Sequence, residues 1–360
     1  MGQQKVLHVI NTMQLGGAQV LLANSLAAGG LQEHIDNYLV YFMGESSLLD
    51  RIDKNVKVIS LNYKGISDLK RALSELKKII LDNQISIVHT HLTPADFYTS
   101  LILPKNVKQI HTLHSTYSLD HTQKLRNRIL QKYLYLKRKD CNLIFLSDYN
   151  RDDFLRSLKF RGKSFVLNNF IADDFFSPDL GKNTSSPQPG LKVIAVGVLR
   201  EEKNFKYLLD VFVFLKNYNI QLDIYGSGDK SSYEQIVKER QLKVRFLGEH
   251  AEVSKILCHY DLFISPSLFE GFGLSIFEAM ASGVPVLSSD LESLKSLIGD
   301  NVIYFQLNNA EQVAQTIVAI YNDRPSVKGM AAKAKAFAEK TVKREMYIKR
   351  LMDIYSSLAD

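Results

Sequence analysis

Two glutamates eight residues apart, Glu270 and Glu278, flank a Gly-x-Gly turn in the run Ser265-Pro266-Ser267-Leu268-Phe269-Glu270-Gly271-Phe272-Gly273-Leu274-Ser275-Ile276-Phe277-Glu278-Ala279-Met280. A strand pattern precedes the turn and a helical pattern follows it, which puts Glu270 on a loop and Glu278 about two turns into the helix. Both can face one cleft. Glycine lets the backbone approach a ligand closely, and the free amides at the start of the helix, around Gly273 and Leu274, suit a phosphate group. Carboxylates beside a diphosphate can accept hydrogen bonds from the hydroxyls of a ribose and of a hexose. An isolated glutamate pair at this spacing is more often a solvated part of an ordinary strand-to-helix turn. The embedded Gly271 and Gly273 reverse that order.

A second group, Gly197-Val198-Leu199-Arg200-Glu201-Glu202-Lys203-Asn204, follows the strand pattern Leu191–Val198. Ligands of open α/β sheets bind beyond the carboxyl ends of strands, so Arg200 and Lys203 stand where cations can neutralise a leaving diphosphate in place of a metal ion. Gly197, and Gly226 after the next strand, complete the donor-binding set with Gly271, Phe272, Gly273, Leu274 and Glu278. In the first half of the chain, Gly16-Gly17-Ala18-Gln19 occupies the same position after strand one and exposes backbone amides to a phosphate or an acceptor. It is not a full G-x-G-x-x-G, and no acidic residue stands at the ribose spacing, which argues against a nicotinamide dehydrogenase. Histidines gather at strand ends: His89, His91, His111 and His114. His114 falls just past its strand, where an imidazole can bond a sugar hydroxyl, whereas His89 and His111 read as structural. No H-E-x-x-H or equivalent spacing supports zinc, and no metal is expected.

The elements that must carry these residues alternate throughout. Strand patterns at Val6–Ile10, Tyr38–Phe42, Val56–Leu61, Ile85–His89, Val107–Leu113 and Leu143–Leu146 enclose helical patterns at Ala18–Ala28, Asp68–Leu81 and His121–Lys139. This is the signature of a parallel βαβ sheet. The stretch from Ser177 to Gly190 has three prolines and almost no apolar side chain, the composition of a linker. The alternation then restarts at Leu191–Val198, Ile220–Tyr225, Val244–Phe246, Leu262–Ile264, Val284–Ser288 and Val302–Phe305, with helices at Phe205–Leu215, Ser232–Arg240 and Leu274–Ala281. From Ala310 to Leu358 the pattern is of amphipathic helices broken near Pro325. The expected organisation is a first Rossmann-like domain over 1–176, a linker over 177–190, a second Rossmann-like domain over 191–340, and a terminal helix over 341–360 returning to the first domain. The two α/β parallel sheets are expected to face one another across a cleft.

At 360 residues, 46% apolar and 23% charged, the chain has the make-up of a globular protein of two domains. Two distant cysteines, Cys141 and Cys258, build neither a disulfide framework nor a zinc site, which suits a reducing compartment. The apolar run Val6–Ile10 is too short for a signal peptide or a membrane span, so a cytoplasmic location is expected. The net charge of +7 suits an anionic partner. Part of it lies in Lys124, Arg126, Arg128, Lys132, Lys137, Arg138 and Lys139, interleaved with Leu125, Ile129, Leu130, Tyr133, Leu134, Tyr135 and Leu136. Such a basic amphipathic helix can lie on the cytoplasmic face of an anionic bilayer, or simply cover the sheet as a solvated helix. Nucleic acid is not expected, for want of stacking platforms and a recognised fold.

With these residues in view, the chain resembles glycosyltransferase family 4 over nearly its whole length. The most specific parts are Pro266-Ser267-x-x-Glu270-Gly271-Phe272-Gly273-x-x-x-x-Glu278-Ala279-Met280-x-x-Gly283-x-Pro285-Val286, and Val166-Leu167-Asn168-Asn169-Phe170-Ile171 ending in Phe176-Ser177-Pro178. The resemblance implies a GT-B fold and metal-free transfer of a sugar, with retention, from a nucleoside-diphosphate donor, UDP-sugar ahead of GDP-sugar. It implies that Glu270 contacts the donor sugar, Glu278 the ribose, Arg200 and Lys203 the diphosphate, Gly16 and Gly17 the phosphates, and His114 the transferred sugar. A saccharide or lipid-linked acceptor in surface-polysaccharide assembly is the expected partner. The chain departs from the family pattern at Val198, where an arginine is usual; at Phe170-Ile171-Ala172, in place of Gly-Val-Asp; and at Ser293-Leu294-Lys295-Ser296, where a glutamate is usual. An idle sugar-nucleotide-binding scaffold and a phosphorylase of the same architecture are the rival readings.

Overall fold

The computed structural model describes residues 4–14, 16–44, 47–114, 135, 141–177, 190–250 and 252–359. It divides into two compact units, Met1–Phe170 with Arg344–Asp360, and Ile171–Lys343. The first holds seven strands: β1 (Lys5–Thr12), β2 (Asp36–Met43), β3 (Lys57–Ser60), β4 (Ile87–His91), β5 (Lys108–Leu113), β6 (Cys141–Phe145) and β7 (Ser164–Val166). Their order is β3-β2-β1-β4-β5-β6-β7, and every neighbouring pair is parallel. The helices are α1 (Gly17–Ser25), α2 (Leu69–Asp82), α3 (Ala95–Ile102), α4 (Asp148–Ser157) and the C-terminal helix Arg344–Ala359.

A parallel sheet is covered on both faces, so its inner strands are buried at successive positions, mostly by apolar side chains. β4 and β6 are buried along their whole length. The period of two then sorts the side chains. Val6 and Ile10 of β1, Ile87 of β4 and Ile110 of β5 share one core with Leu21 and Leu22 of α1 and with Tyr347, Leu351, Ile354 and Tyr355 of the C-terminal helix. Leu7, Val9 and Val88 share the opposite core with Ala72, Leu76 and Ile80, the i, i+4, i+8 stripe of α2. Each fully buried Leu or Ile stabilises the fold by about 1.5–3 kcal/mol, so the terminal helix is an integral layer of this unit.

The second unit holds β8 (Leu191–Val196), β9 (Ile220–Tyr225), β10 (Val244–Gly248), β11 (Leu262–Ser265), β12 (Val286–Ser289) and β13 (Ile303–Phe305). Their order is β10-β9-β8-β11-β12-β13, again all parallel. Its helices are α5 (Phe205–Val213), α6 (Ser231–Glu239), α7 (Val253–Leu257), α8 (Leu274–Ala281), α9 (Glu292–Ile298), α10 (Ala310–Asn322) and α11 (Pro325–Thr341). Pro325 starts α11, where a missing N–H costs nothing, and this separates α10 from α11 at the expected break. Strand order reverses at β1/β4 in the first unit and at β8/β11 in the second, and such reversals open crevices at the carboxyl ends of the strands.

The division between the units falls at Phe170/Ile171, six residues before the expected 176/177, because the 3-10 turn Asp173–Phe175 packs on α7 and α8. The expected linker lies almost wholly outside the described residues. So does the basic helical run, of which only the buried Tyr135 is described. The half-buried edge strand β7 and the helices α3, α4, α7 and α9 carry patterns too short or too polar to announce themselves.

Candidate active site

The second unit gathers its chemistry at the β8/β11 reversal. Gly197 follows β8, and the chain turns through Arg200 into a 3-10 turn at Glu201–Lys203, stopped by Asn204 in the left-handed region (φ 52°). The loop after β11 carries Ser267 and Glu270. The two loops are tied by a main-chain bond from Leu268 N to Glu202 O, 2.8 Å. Across that tie the Lys203 Nζ donates to Glu270 Oε1 at 2.6 Å. The same oxygen accepts from Ser267 Oγ at 2.8 Å, and Ser293 Oγ in α9 braces the Glu270 carbonyl at 3.1 Å. Glu270 is buried and Lys203 a quarter exposed, so this charge-assisted pair is screened little by solvent and is open on one side.

Glycines shape the floor. A Cβ on Gly197 would meet the Lys203 stem at 3.4 Å, so the lysine lies across it. A Cβ on Gly226 would sit 1.8 Å from the Gly197 carbonyl oxygen, which leaves room for nothing larger. Gly273 stands just before α8 at φ 82°, and a Cβ there would press on Leu294 at 2.9 Å. Only glycine adopts that backbone cheaply, and it opens the first-turn amides of Leu274 and Ser275 to a ligand. Gly271 is half-buried in the same loop, while Phe272 is buried against Phe277, its ring 5.0 Å away, and anchors the turn from within. Glu278 is half-buried in α8. Burial pushes its carboxyl up to about 7, with Asp174 adding to the rise and Lys203 opposing it.

Arg200 is not brought to this pair. Its side chain is 68% exposed and lies 3.8 Å from Glu202. Sequence reading missed the serines that hold Glu270, and Asp174 beside Glu278. Ser267 lies inside the quoted motif, but a serine's hydroxyl direction has no sequence signature. A cavity of about 1160 Å³ opens at the opposite, amino ends of β8, β11 and β12, lined by Lys192, His259, Tyr260, Asp261, Pro285 and Arg324. It shares no residue with the Glu270 site.

In the first unit Gly16 caps α1 and Gly17 opens it. A Cβ on Gly16 would strike Gln19 Oε1 at 2.5 Å, so the side chain of Gln19 folds back over that turn. The histidines lie inside the sheet, since β4 runs on through His89 to His91. His8 of β1 joins them from the adjacent strand, in register with His89. His89 bonds Tyr355 OH at 2.6 Å and Thr112 Oγ1 at 2.7 Å, and stacks on His91 at 4.2 Å. His111 bonds Thr90 on the other face. Among the described residues, His8, His89 and His91 form the one histidine group whose nitrogens lie within 4.8 Å of one another. Those nitrogens are engaged by Asn37, Tyr355, Thr112 and each other, which makes the group a hydrogen-bonded stack in place of an open ligand set. His114 is half-buried at the mouth of the stack, and burial pushes it down to about 3, with His111 adding.

Two family models match. Residues 16–175 match Glycosyltransferase Family 4, and residues 178–337 match Glycosyl transferases group 1. The chain belongs to glycosyltransferase family 4. It is a transferase with the GT-B fold of that family. A UDP-Gal:alpha-D-GlcNAc-diphosphoundecaprenol alpha-1,3-galactosyltransferase of Escherichia coli is 24% identical over 77% of this chain and 78% of its own. An uncharacterised 41.2 kDa protein in the cps region of Klebsiella pneumoniae is 23% identical over 98% and 99%. The solved structure of Anabaena Alr3699/HepE in complex with UDP and glucose superposes with a TM-score of 0.84 at 17% identity, covering 98% of this chain and all of that one.

Proposed function

We propose that the chain is a retaining glycosyltransferase. It moves a hexose or N-acetylhexosamine from a nucleoside-diphosphate sugar, UDP-sugar ahead of GDP-sugar, to a saccharide or lipid-linked acceptor in cell-surface polysaccharide or lipopolysaccharide assembly. The observation that carries this reading is the Lys203–Glu270 pair, 2.6 Å long, set over Gly197 at the switch point of the second sheet and beside the open turn of α8. Names of relatives support the acceptor class, since one acts on a diphosphoundecaprenol-linked sugar and another is an O-antigen chain mannosyltransferase.

In this reading the donor diphosphate lies against the amides at Gly273 and Leu274 and takes the ammonium of Lys203. Negative charge grows on the leaving phosphate as the glycosidic bond breaks. A preorganised cation and helix amides stabilise that charge with no reorganisation at the moment of reaction. Arg200, exposed and 3.8 Å from Glu202, adds its guanidinium when the diphosphate arrives. Together these groups do the work of a divalent cation, so no metal is required. Glu270, braced by Ser267 and Ser293, accepts from hydroxyls of the sugar, Glu278 accepts from the ribose, and Gly16 and Gly17 offer amides to phosphate. His114, neutral because burial lowers its pKa, hydrogen-bonds a sugar hydroxyl. With no second nucleophile in the assigned set, the leaving phosphate itself takes the acceptor proton on the face it departs from, which retains the anomeric configuration.

The test is product analysis. Purified protein is incubated with UDP-, GDP- and ADP-sugars and a lipid-linked saccharide, with and without EDTA, and the new anomeric proton is followed by NMR. The expected result is an anomer matching the donor's, unaffected by EDTA. An inverted anomer refutes retention, loss of turnover in EDTA refutes the metal-free assignment, and phosphate serving as acceptor makes the chain a phosphorylase.

A further inference from the structure

Three imidazoles of the first unit, with Asn37, form a chain in which each hydrogen bond dictates the next. Asn37 Nδ2 donates to the carbonyl of Ile35 at 3.1 Å, and this turns its Oδ1 toward His8 Nε2 at 3.2 Å. An amide oxygen only accepts, so His8 Nε2 carries the proton. Burial lowers His8 to about 4 and His114 to about 3, and holds His91 well below the usual imidazole range, so each ring is neutral and has a single N–H. His8 Nδ1 is therefore bare, and it accepts from His91 Nε2 at 3.3 Å. His91 Nδ1 is bare in turn and accepts from His114 Nε2 at 3.5 Å. The series stops at His114 Nδ1, which has no hydrogen-bond partner among the described residues. The remaining groups do not break it: His89 stacks on His91 and is held by Tyr355 and Thr112, while His111 and Asp96 pair on the other face.

We infer that Asn37, His8 and His91 are positioning residues that fix His114 as the Nε2–H tautomer, so that its Nδ1 meets a substrate hydroxyl as a hydrogen-bond acceptor. The inference rests on the proposed role of His114 and adds a direction to it. A hydroxyl donating to Nδ1 is selected, and a substrate carrying a methyl ether or a carbonyl at that position leaves the lone pair unmet and is rejected. Asn37 reads as an ordinary polar residue at the start of β2. Its weight comes from being the fixed end of the series.

Tautomers are read directly by long-range 15N–1H NMR on the full chain labelled at histidine, with no substrate present, and each ring is assigned by its His→Gln variant. The expected spectrum shows a bare Nδ1 and a protonated Nε2 for His8, His91 and His114 alike. A protonated Nδ1 on His114 overturns the inference and leaves the transferase reading intact. Asn37→Leu removes the terminal acceptor and is expected to mix the tautomers of His114 and to lower kcat/KM for the donor about 10-fold, the value of one hydrogen bond. If Asn37→Leu keeps all three wild-type tautomers, the series does not set His114, and the inference fails. If Asn37→Leu does not fold, the wild-type spectrum still decides. If His114→Phe keeps full turnover while the tautomers are as described, the series stands and the proposed role of His114 falls.

Discussion

Glu278 shows what a single side chain can report about the site. Burial holds its carboxyl near 7, above the ordinary 4.5, so between those values the folded state keeps a proton that the unfolded chain has released. Stability from this group is complete below about pH 4.5 and is lost as pH rises through about 7. Glu278→Gln should flatten that slope, seen as urea midpoints that no longer fall between about pH 5 and about pH 8. If the ribose bonds the carboxylate, nucleotide affinity should move the other way and rise as pH passes about 7 in the wild type only. Equal affinities at the two pH values would remove Glu278 from the ribose contact. Glutamate spacing, the glycines and the two cations were all visible as residue types in the chain. What could not be seen was direction: Lys203 turns in to Glu270 while Arg200, three residues earlier, turns out.

At the scale of elements, the turns between strands and helices set the site, and glycine is the residue they constrain. Gly226→Ala would put a methyl 1.8 Å from the Gly197 carbonyl and should destabilise the second unit by about 2–3 kcal/mol, while shifting the floor beneath Lys203. Gly329, inside α11 with open space around it, makes the contrast. Gly329→Ala should stabilise by about 0.5–1 kcal/mol, and equal midpoint shifts for the two variants would contradict the packing described. Of the thirteen strands among the described residues, twelve were legible in the alternation of the sequence, the inner ones because parallel strands buried on both faces read as nearly unbroken apolar stretches. β7 escaped because an edge strand of three half-buried residues has no pattern to show. His89 and His91 blurred the end of β4, since histidine signals a loop or a site before it signals the middle of a sheet. The basic run 124–139 remains a sequence-level feature. If it meets a membrane, neutralising Arg126, Arg128 and Lys132 should weaken binding to vesicles rich in anionic lipid by about 3 kcal/mol in total, about 1 per charge, and unaltered partitioning would assign it to solvation alone.

For the whole molecule, chain order and spatial order differ at one place that matters. The helix Arg344–Ala359 follows the second unit in sequence but belongs to the core of the first, where Tyr355 is fully buried and bonds His89. Deleting residues 344–360 should therefore unfold or strongly destabilise the first unit while the second keeps its own melting transition. A single unchanged transition in calorimetry would contradict that assignment. The central claim concerns the second unit and is tested most directly by one comparison: release of nucleoside diphosphate from a panel of UDP- and GDP-sugars by wild type and by Lys203→Ala, with circular dichroism to confirm the fold. We expect release from at least one donor by the wild type and a loss of at least about 100-fold in the variant, the scale of one preorganised charge contact in a transition state. No release from any donor, or equal release by both proteins, would contradict the assignment of the Lys203–Glu270 pair as the donor site.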